Sequence, residues 1–284
     1  MSLLTLPSEV VSVAWLARHI NHPSLLLLDA SYFMKALKRD GKSEWCEQTI
    51  PGAHFFDFDN LICDQASTLP HMMPSEKLFE QAVRSLGVNQ DNVIVVFDRL
   101  GIFSSPRVWW MFKCMGFNNI AVLDGGLNSW KGAGLAVAKG ELNRVCHEGD
   151  FCAQYQPHLI VDSAQVLVAM TDPKYQIVDA RAENRFLAQV PESRAGLRSG
   201  HMPNAKNLPF NHLLIDGEMR DIEQLRALYQ GLIDEKKHVI FSCGSGVTAC
   251  VLALGATLCG YQHLAVYDGS WTQWGADEKL PVVQ

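Results

Sequence analysis

A cysteine in a glycine-rich loop has the clearest chemical potential in this sequence. In residues 238–258, HVIFSCGSGVTACVLALGATL, an apolar run predicts a strand that stops at Cys243, and the apolar segment after the glycines predicts a helix. Gly244 and Gly246 can take positive φ, so that successive N–H groups point inward and bind an anion. The N-terminus of the helix adds partial positive charge. A cysteine held there is favoured as a thiolate, and its small neighbours are expected to leave the sulfur accessible.

Three other loop chemistries each lack a required residue. A cysteine phosphatase loop needs an arginine six positions after the cysteine, where this chain has Ala249. A hydrolase elbow needs a glycine two positions before Ser245, and that position is Cys243. The Gly-Lys-Ser/Thr of a phosphate-binding loop is absent. The alternative for Cys243 is a buried structural cysteine, which is what we expect of Cys250 and Cys259.

The elements around this loop occur twice in the chain. LLLLDASYF around Asp29 resembles YQIVDARAE around Asp179, and NNIAVLDGGLNSWKGAG resembles QHLAVYDGSWTQWGADE. In each half, short apolar runs alternate with helical patterns, which predicts a parallel sheet flanked by helices. The first half has Asp98 where the second has Cys243, so only the second half can carry sulfur chemistry at this position.

The duplication defines the predicted domains. We predict an α/β protein with two tandem domains, residues 1–142 and 158–284. The polar, irregular segment 143–157, which ends on a proline, is the predicted linker. Helices are predicted in both halves at LFEQAVRSLGV, ending at Gly87, and at DIEQLRALYQGL.

Composition excludes several classes of protein. The chain is 48% hydrophobic and 19% charged, which is typical of a folded globular protein. Its net charge of −6 and the lack of a Lys/Arg-rich run argue against nucleic-acid binding, and no apolar run reaches the length of a membrane span. The eight cysteines are irregularly spaced without a C-x-x-C pair, so neither a metal site nor a disulfide framework is predicted. Because the N-terminus does not resemble a signal peptide, we expect a reducing, cytoplasmic setting.

Several motifs together resemble those of the two-domain rhodanese-type sulfurtransferases. They are IPGAHFFDFD, LPHMMP, SSPRVWW, DGGLNSW, RFLAQVPESRAGLRSGHMP, CGSGVTA and YDGSWTQWG. The loop CGSGVTA is most similar to that of members using 3-mercaptopyruvate, and the resemblance covers nearly the whole chain. It implies a rhodanese-like domain in each half, of which only the second is catalytic.

The resemblance also implies a mechanism without a cofactor or a metal. Cys243 attacks the substrate sulfur and becomes a persulfide, and the carbon fragment leaves as pyruvate. A thiol, such as a thioredoxin or a small thiol, or cyanide then takes the outer sulfur. The loop residues Gly244, Gly246, Val247 and Thr248 are expected to surround the substrate and to stabilise negative charge through their amides.

The residues that follow the cysteine bear on the choice of sulfur donor. Thiosulfate-type members carry basic residues there, whereas this chain has Gly244 and Ser245. A neutral loop binds a compact dianion less well, which favours 3-mercaptopyruvate and keeps thiosulfate:cyanide sulfurtransferase as the alternative. By resemblance, Arg185 and Arg194 bind the carboxylate and the ketone of the keto acid through bidentate hydrogen bonds. The competing interpretation is that they form surface ion pairs with nearby glutamates such as Glu192.

The assignment of acid–base groups depends on the resemblance alone. Ser245 corresponds by loop position to the serine of a Ser–His–Asp relay in the family, and His71 and Asp59 correspond by motif. Such a relay moves a proton from the substrate thiol to the leaving enolate carbon. The alternatives are a surface-loop histidine for His71 and a helix N-cap or turn residue for Asp59, with Asp57 as a neighbouring rival. A further reading is a non-catalytic persulfide carrier, which has no reason to recognise a keto acid.

Overall fold

The structure is a computed structural model that describes residues 4–142 and 147–284. Residues 1–3 of the predicted first domain and residues 143–146 of the predicted linker lie outside the described residues. The chain divides into two compact units, and most of each sequence half falls in one of them. Two short segments depart from chain order, since Ala66–Met72 belongs to the second unit and Asp216–Met219 to the first. The domain boundaries expected from the sequence stay a prediction.

The first unit is built on a five-stranded parallel sheet with the order β1-β5-β4-β2-β3. Its strands are β1 Val10–Val11, β2 Leu25–Asp29, β3 His54–Phe55, β4 Val93–Phe97 and β5 Ile120–Leu123. Its helices are α1 Val13–His19, α2 Gly41–Glu47, α3 Glu76–Ser85, α4 Ser105–Cys114 and α5 Gly126–Gly132, with a 3-10 turn at Lys35–Leu37. Every residue of β4 is buried, as expected of a central parallel strand covered on both faces.

Helix α3 illustrates how the sequence sets the ends of an element. Ser75 caps its N-terminus by accepting a hydrogen bond from the N–H of Leu78. Gly87 lies just past its C-terminus with φ of 81°, and the N–H of Val88 donates to the carbonyl of Val83. The predicted helix with a glycine C-cap is therefore confirmed, although it begins before Leu78.

The second unit repeats the arrangement, with the strand order β6-β12-β11-β7-β8 and parallel pairing throughout. Its strands are β6 Ile160–Val161, β7 Tyr175–Asp179, β8 Lys206–Asn207, β11 His238–Ser242 and β12 Leu264–Tyr267. The short strands β9 Leu214–Ile215 and β10 Glu218–Met219 lie outside the two five-stranded sheets. The helices of the second half are α6 Ser163–Ala169, α7 Glu183–Phe186, α8 Ile222–Tyr229, α9 Ala249–Leu258 and α10 Ser270–Trp274, with 3-10 turns at Pro157–Leu159 and Phe210–Leu213. The predicted α/β class, with a parallel sheet in each half, is confirmed.

The strand β11 and the helix α9 position the cysteine loop. Nearly all residues of α9 are buried because the helix is apolar all round, which suits a helix packed in the core. Strand β11 pairs in parallel with β7, with Ser242 opposite Asp179, so the two strands end side by side. Open parallel sheets bind ligands outside the carboxyl ends of their strands, and Cys243 lies at that edge. Within the described residues, no helix is both long and apolar enough to cross a membrane.

Candidate active site

The backbone of Cys243 is fixed by the first turn of α10. Its N–H donates to Oγ of Ser270 at 3.1 Å, and its carbonyl accepts from the N–H of Trp271 at 2.9 Å. Ser270 Oγ lies 4.0 Å from Cys243 Sγ. Cys243 is 1% exposed, so the expectation of an accessible sulfur is wrong. Small neighbours in the loop are therefore not enough to expose the thiol, and one of its contacts, Ser270, is distant in the sequence.

The loop backbone agrees only in part with the prediction that both Gly244 and Gly246 take positive φ. Gly246 has a φ of 75°, which a side chain would strain, as predicted. Gly244 does not have positive φ, so that expectation is wrong for this residue. Within the described part of the chain, the backbone N–H groups of Ser245, Val247 and Thr248 donate to no protein acceptor. These amides precede helix α9, where peptide dipoles favour a negative group.

The corresponding loop of the first unit holds a negative group of its own. The carboxylate of Asp98 accepts hydrogen bonds of 2.8–2.9 Å from the N–H groups of Leu100, Phe103, Ser104 and Ser105. The hydroxyl of Ser105 donates a further bond of 2.7 Å. Burial raises the pKa of Asp98, and these hydrogen bonds oppose the rise. A strand-to-helix loop of this fold can thus surround an anionic side chain with backbone donors.

Arg185 and Arg194 converge on the glycine that follows the cysteine. A Cβ placed on Gly244 would lie 3.7 Å from Nη2 of Arg185 and 4.0 Å from Nη1 of Arg194. Only a residue without a side chain leaves that space open in front of both guanidinium groups. The structure therefore brings the two arginines together with the loop, as the resemblance implied, although their part in substrate binding remains a prediction.

Arg185 also forms an ion pair with Glu192, which was the alternative interpretation of this arginine. Its Nε donates to Glu192 at 3.2 Å and its Nη2 donates to the same carboxylate. The side chain of Glu192 is only 1% exposed, so this is not a surface pair. Arg181 donates to Asp179 through Nε and Nη2, and its Nη1 donates to Glu192 at 2.7 Å.

Arg194 has hydroxyl partners instead. Its Nη1 donates to Oγ1 of Thr272 at 2.9 Å, and its Nη2 lies 3.4 Å from Oγ of Ser245. Thr272 in turn donates to the carbonyl of Gly244 at 2.6 Å, so that it links the arginine to the loop. Among the described residues no carboxylate forms an ion pair with Arg194.

Reasoning from the sequence missed Ser270 and Thr272. Ser270 takes a φ of 46°, which is unusual for a residue other than glycine, and its equivalent in the first half is Gly126 with a φ of 56°. The signal was present in the aligned repeats, because DGG of the first half becomes DGS in the second. A strained serine in place of a glycine indicates a local function for its hydroxyl.

The remaining predicted residues lie in two different units. His71 falls in the segment assigned to the second unit, together with Cys243, whereas Asp59 falls in the first. His71 is 3% exposed with a φ of 63°, so the alternative of a surface-loop histidine is wrong. Asp59 lies in a turn, so the turn alternative holds for its backbone, and Asp57 at the start of this turn accepts with Oδ1 from the backbone and the side chain of Asn60. In the described residues, no group of three or more His, Cys, Asp or Glu side chains could hold a metal ion.

Comparison with known proteins identifies the family. The Rhodanese-like domain matches residues 12–133 and 162–277, which is most of the chain. The chain belongs to the rhodanese-like family. The 3-mercaptopyruvate sulfurtransferase of Escherichia coli is 40% identical over 96% of each chain. The thiosulfate sulfurtransferase of Bos taurus is also 40% identical, over 93% of this chain and 91% of its own.

A solved structure supports the same rhodanese fold. SseA from Escherichia coli superimposes with a TM-score of 0.84 at 38% sequence identity. The alignment covers 93% of this chain and 99% of SseA, so the likeness includes both halves. This match confirms the predicted fold of two rhodanese-like domains.

Proposed function

We propose that this protein is a 3-mercaptopyruvate sulfurtransferase that carries sulfur as a persulfide on Cys243. The observation that carries the proposal is the convergence of Arg185 and Arg194 on Gly244, the residue after the cysteine. Two guanidinium groups at this distance suit a carboxylate and an adjacent ketone, which accept charge-assisted hydrogen bonds. In the proposed site, Gly244, Gly246, Val247 and Thr248 provide the surrounding backbone.

The reaction divides into two transfers. The Cys243 thiolate attacks the sulfur of 3-mercaptopyruvate and forms an S–S bond, while the C–S bond breaks and leaves its electron pair on carbon as the enolate of pyruvate. The proton from the substrate thiol goes to that carbon, which gives pyruvate. An acceptor thiolate or cyanide then attacks the outer sulfur, and the S–S bond breaks to restore the Cys243 thiolate. Loop amides stabilise the negative charge at each stage.

The residues after the cysteine support 3-mercaptopyruvate over thiosulfate as donor. Overall identity does not separate the two activities, since relatives named for each are 40% identical to this chain. The composition of the loop favours 3-mercaptopyruvate, because residues 243–249 contain no lysine or arginine. A dianion without a carbon group gains little from a neutral loop.

We propose a relay of Ser245, His71 and Asp59 for the proton transfer. Ser245 is supported by its place in the loop and its 3.4 Å approach to Arg194. His71 is supported by its burial and positive φ, which are features of functional residues.

His71→Asn is expected to lower kcat with 3-mercaptopyruvate, while sulfur transfer from preformed persulfide to cyanide continues. An equal loss in both half-reactions would rule out this role.

We further propose a thiol acceptor and a reducing, cytoplasmic location. No disulfide joins any two of the seven cysteines among the described residues, which suits a reducing compartment. A thioredoxin or a small thiol would serve as acceptor there, with cyanide as the laboratory substitute. Cell fractionation, together with acceptor assays for thioredoxin and for small thiols, tests both proposals.

The decisive experiment compares sulfur transfer to cyanide from 3-mercaptopyruvate and from thiosulfate. Wild-type protein is expected to prefer 3-mercaptopyruvate, and Cys243→Ser to lose at least about 1000-fold in kcat with either donor. Cys250→Ser is the matched control, since Cys250 is buried and its Sγ contacts the Gly246 carbonyl. A wild-type preference for thiosulfate would overturn the substrate assignment. Activity that survives in Cys243→Ser would overturn the role of the cysteine.

The same assay tests the persulfide-carrier alternative. A carrier takes its sulfur from another protein and does not bind a keto acid. Inhibition of wild-type turnover by pyruvate would therefore count against it, because pyruvate keeps the carboxylate and ketone but has no sulfur. A protein that accepts persulfide sulfur from a donor enzyme, but neither uses 3-mercaptopyruvate nor binds pyruvate, would be a carrier.

A further inference from the structure

Four side chains beside the cysteine loop form a chain of alternating charge. Asp179 and Arg181 are 2.7 Å apart, and Arg181 and Glu192 are again 2.7 Å apart. Glu192 then binds Arg185 with its second oxygen. The side chains of the first three residues are 1% exposed, whereas Arg185 at the end is 25% exposed. The buried carboxylate of Glu192 is thus shared between a structural arginine and one of the two arginines at Gly244.

The fifth charge, on Arg194, is different. Its partners are the hydroxyls of Thr272 and Ser245, and no described carboxylate forms an ion pair with it. Arg181, Arg185 and Arg194 carry three positive charges, whereas Asp179 and Glu192 carry two negative charges, which leaves one net positive charge. That charge resides on Arg194, next to the loop.

We propose that Glu192 determines the charge selectivity of this site, so that it accepts a monoanionic keto-acid thiol in preference to a dianion. This inference rests on the proposed function. Arg194 supplies the positive charge that matches one carboxylate. Glu192 cancels the charge of Arg185 but accepts from its Nε and Nη2 with a single oxygen. Nη2 carries two N–H groups and is the nitrogen nearest to Gly244, so its second N–H can donate to a neutral ketone oxygen.

A second negative charge on the donor would meet the field of Glu192 without a cation left to balance it. The glutamate lies behind a guanidinium whose Nη2 is 3.7 Å from the position of a Cβ on Gly244. Because Glu192 is buried and only one guanidinium separates it from this space, its charge is poorly screened there. Glu192 is therefore a specificity-determining residue that acts through Arg185 and does not touch the reacting sulfur.

The test is the ratio of kcat/KM for thiosulfate to kcat/KM for 3-mercaptopyruvate, with cyanide as acceptor. Glu192→Gln keeps the size and one acceptor oxygen but removes the charge, and is expected to raise this ratio about tenfold, mainly through a lower KM for thiosulfate. Glu192→Asp keeps the charge and should retain a ratio near that of the wild type. Glu183→Gln removes an exposed glutamate of α7 and is the matched control, with no expected change.

The ratio does not depend on the fraction of active protein, so partial unfolding of a variant does not affect it. An unchanged ratio in Glu192→Gln, or a proportional loss with both donors, would mean that Glu192 is only structural and would overturn the proposal. If Glu192→Gln yields no folded protein, competition in the wild type replaces it. Pyruvate should then inhibit at lower concentration than sulfate, and the reverse order would overturn the proposal. A wild type that does not use 3-mercaptopyruvate would instead contradict the proposed function.

Discussion

The arginines in the segment 181–198 have different roles, which are seen in their hydrogen-bond acceptors. Arg198 donates to the backbone carbonyls of Gly275, Leu280, Trp274 and Asp277, so it ties the C-terminal segment to the second unit. Arg194 instead ends on hydroxyls next to the loop. Residue type and spacing in the sequence do not distinguish these two roles. The hydrogen-bond acceptors of each arginine do distinguish them.

We predict opposite effects for these two arginines. Arg194→Lys keeps the charge but loses the planar fork, and should raise KM for 3-mercaptopyruvate about 10- to 100-fold with little change in Tm. Arg198→Lys should lower Tm, since several carbonyls lose their donor, and leave KM unchanged in the folded protein. Steady-state kinetics and thermal unfolding of both variants check the pair. A KM effect in Arg198→Lys equal to that in Arg194→Lys would contradict the separation.

At the scale of elements, the sequence predicted the strand, the loop and the helix around Cys243 because their signals are local. Apolar runs and glycines fix β11 and α9 without reference to the rest of the chain. The burial of Cys243 could not be predicted in this way, because its contacts include the first turn of α10, which begins 27 residues further on. The burial of Glu192 could not be predicted either, since nearness to arginine in the sequence does not reveal burial, and the competing interpretation placed it on the surface.

The loop provides a test that separates folding from binding. Gly244 has no neighbour close enough to exclude a Cβ, and its φ is not positive, so Gly244→Ala should fold with Tm changed by less than about 2 °C. The new methyl group would lie in front of both guanidinium groups and should raise KM for 3-mercaptopyruvate about tenfold. Gly246→Ala, at a φ of 75°, should instead lower Tm. An unchanged KM in Gly244→Ala would mean that substrate does not occupy this space.

At the scale of the whole molecule, the two units balance the charge of an equivalent buried aspartate in different ways. Asp29 and Asp179 both end the strand next to the central one and are both buried. In the second unit, Arg181 binds Asp179 directly with Nε and Nη2. In the first unit, Asp29 accepts from Ser31 and Thr49, and its cation, Arg99, is 3.9 Å away. Burial therefore raises the pKa of Asp29 to about 6, against the effects of these partners.

The raised pKa predicts how stability depends on pH. Because the folded state holds the proton on Asp29 more tightly than the unfolded state, the stability that this group contributes is complete below pH 3.8 and is lost as pH rises through about 6. Asp29→Asn removes the titration, so its free energy of unfolding relative to the wild type should increase by up to about 3 kcal/mol between pH 4 and pH 7. Denaturant unfolding across that range measures the difference. Asp179→Asn is the control and should destabilise throughout, because it leaves the buried Arg181 without its carboxylate. A difference between Asp29→Asn and wild type that is independent of pH would show that Asp29 stays ionised in the folded protein.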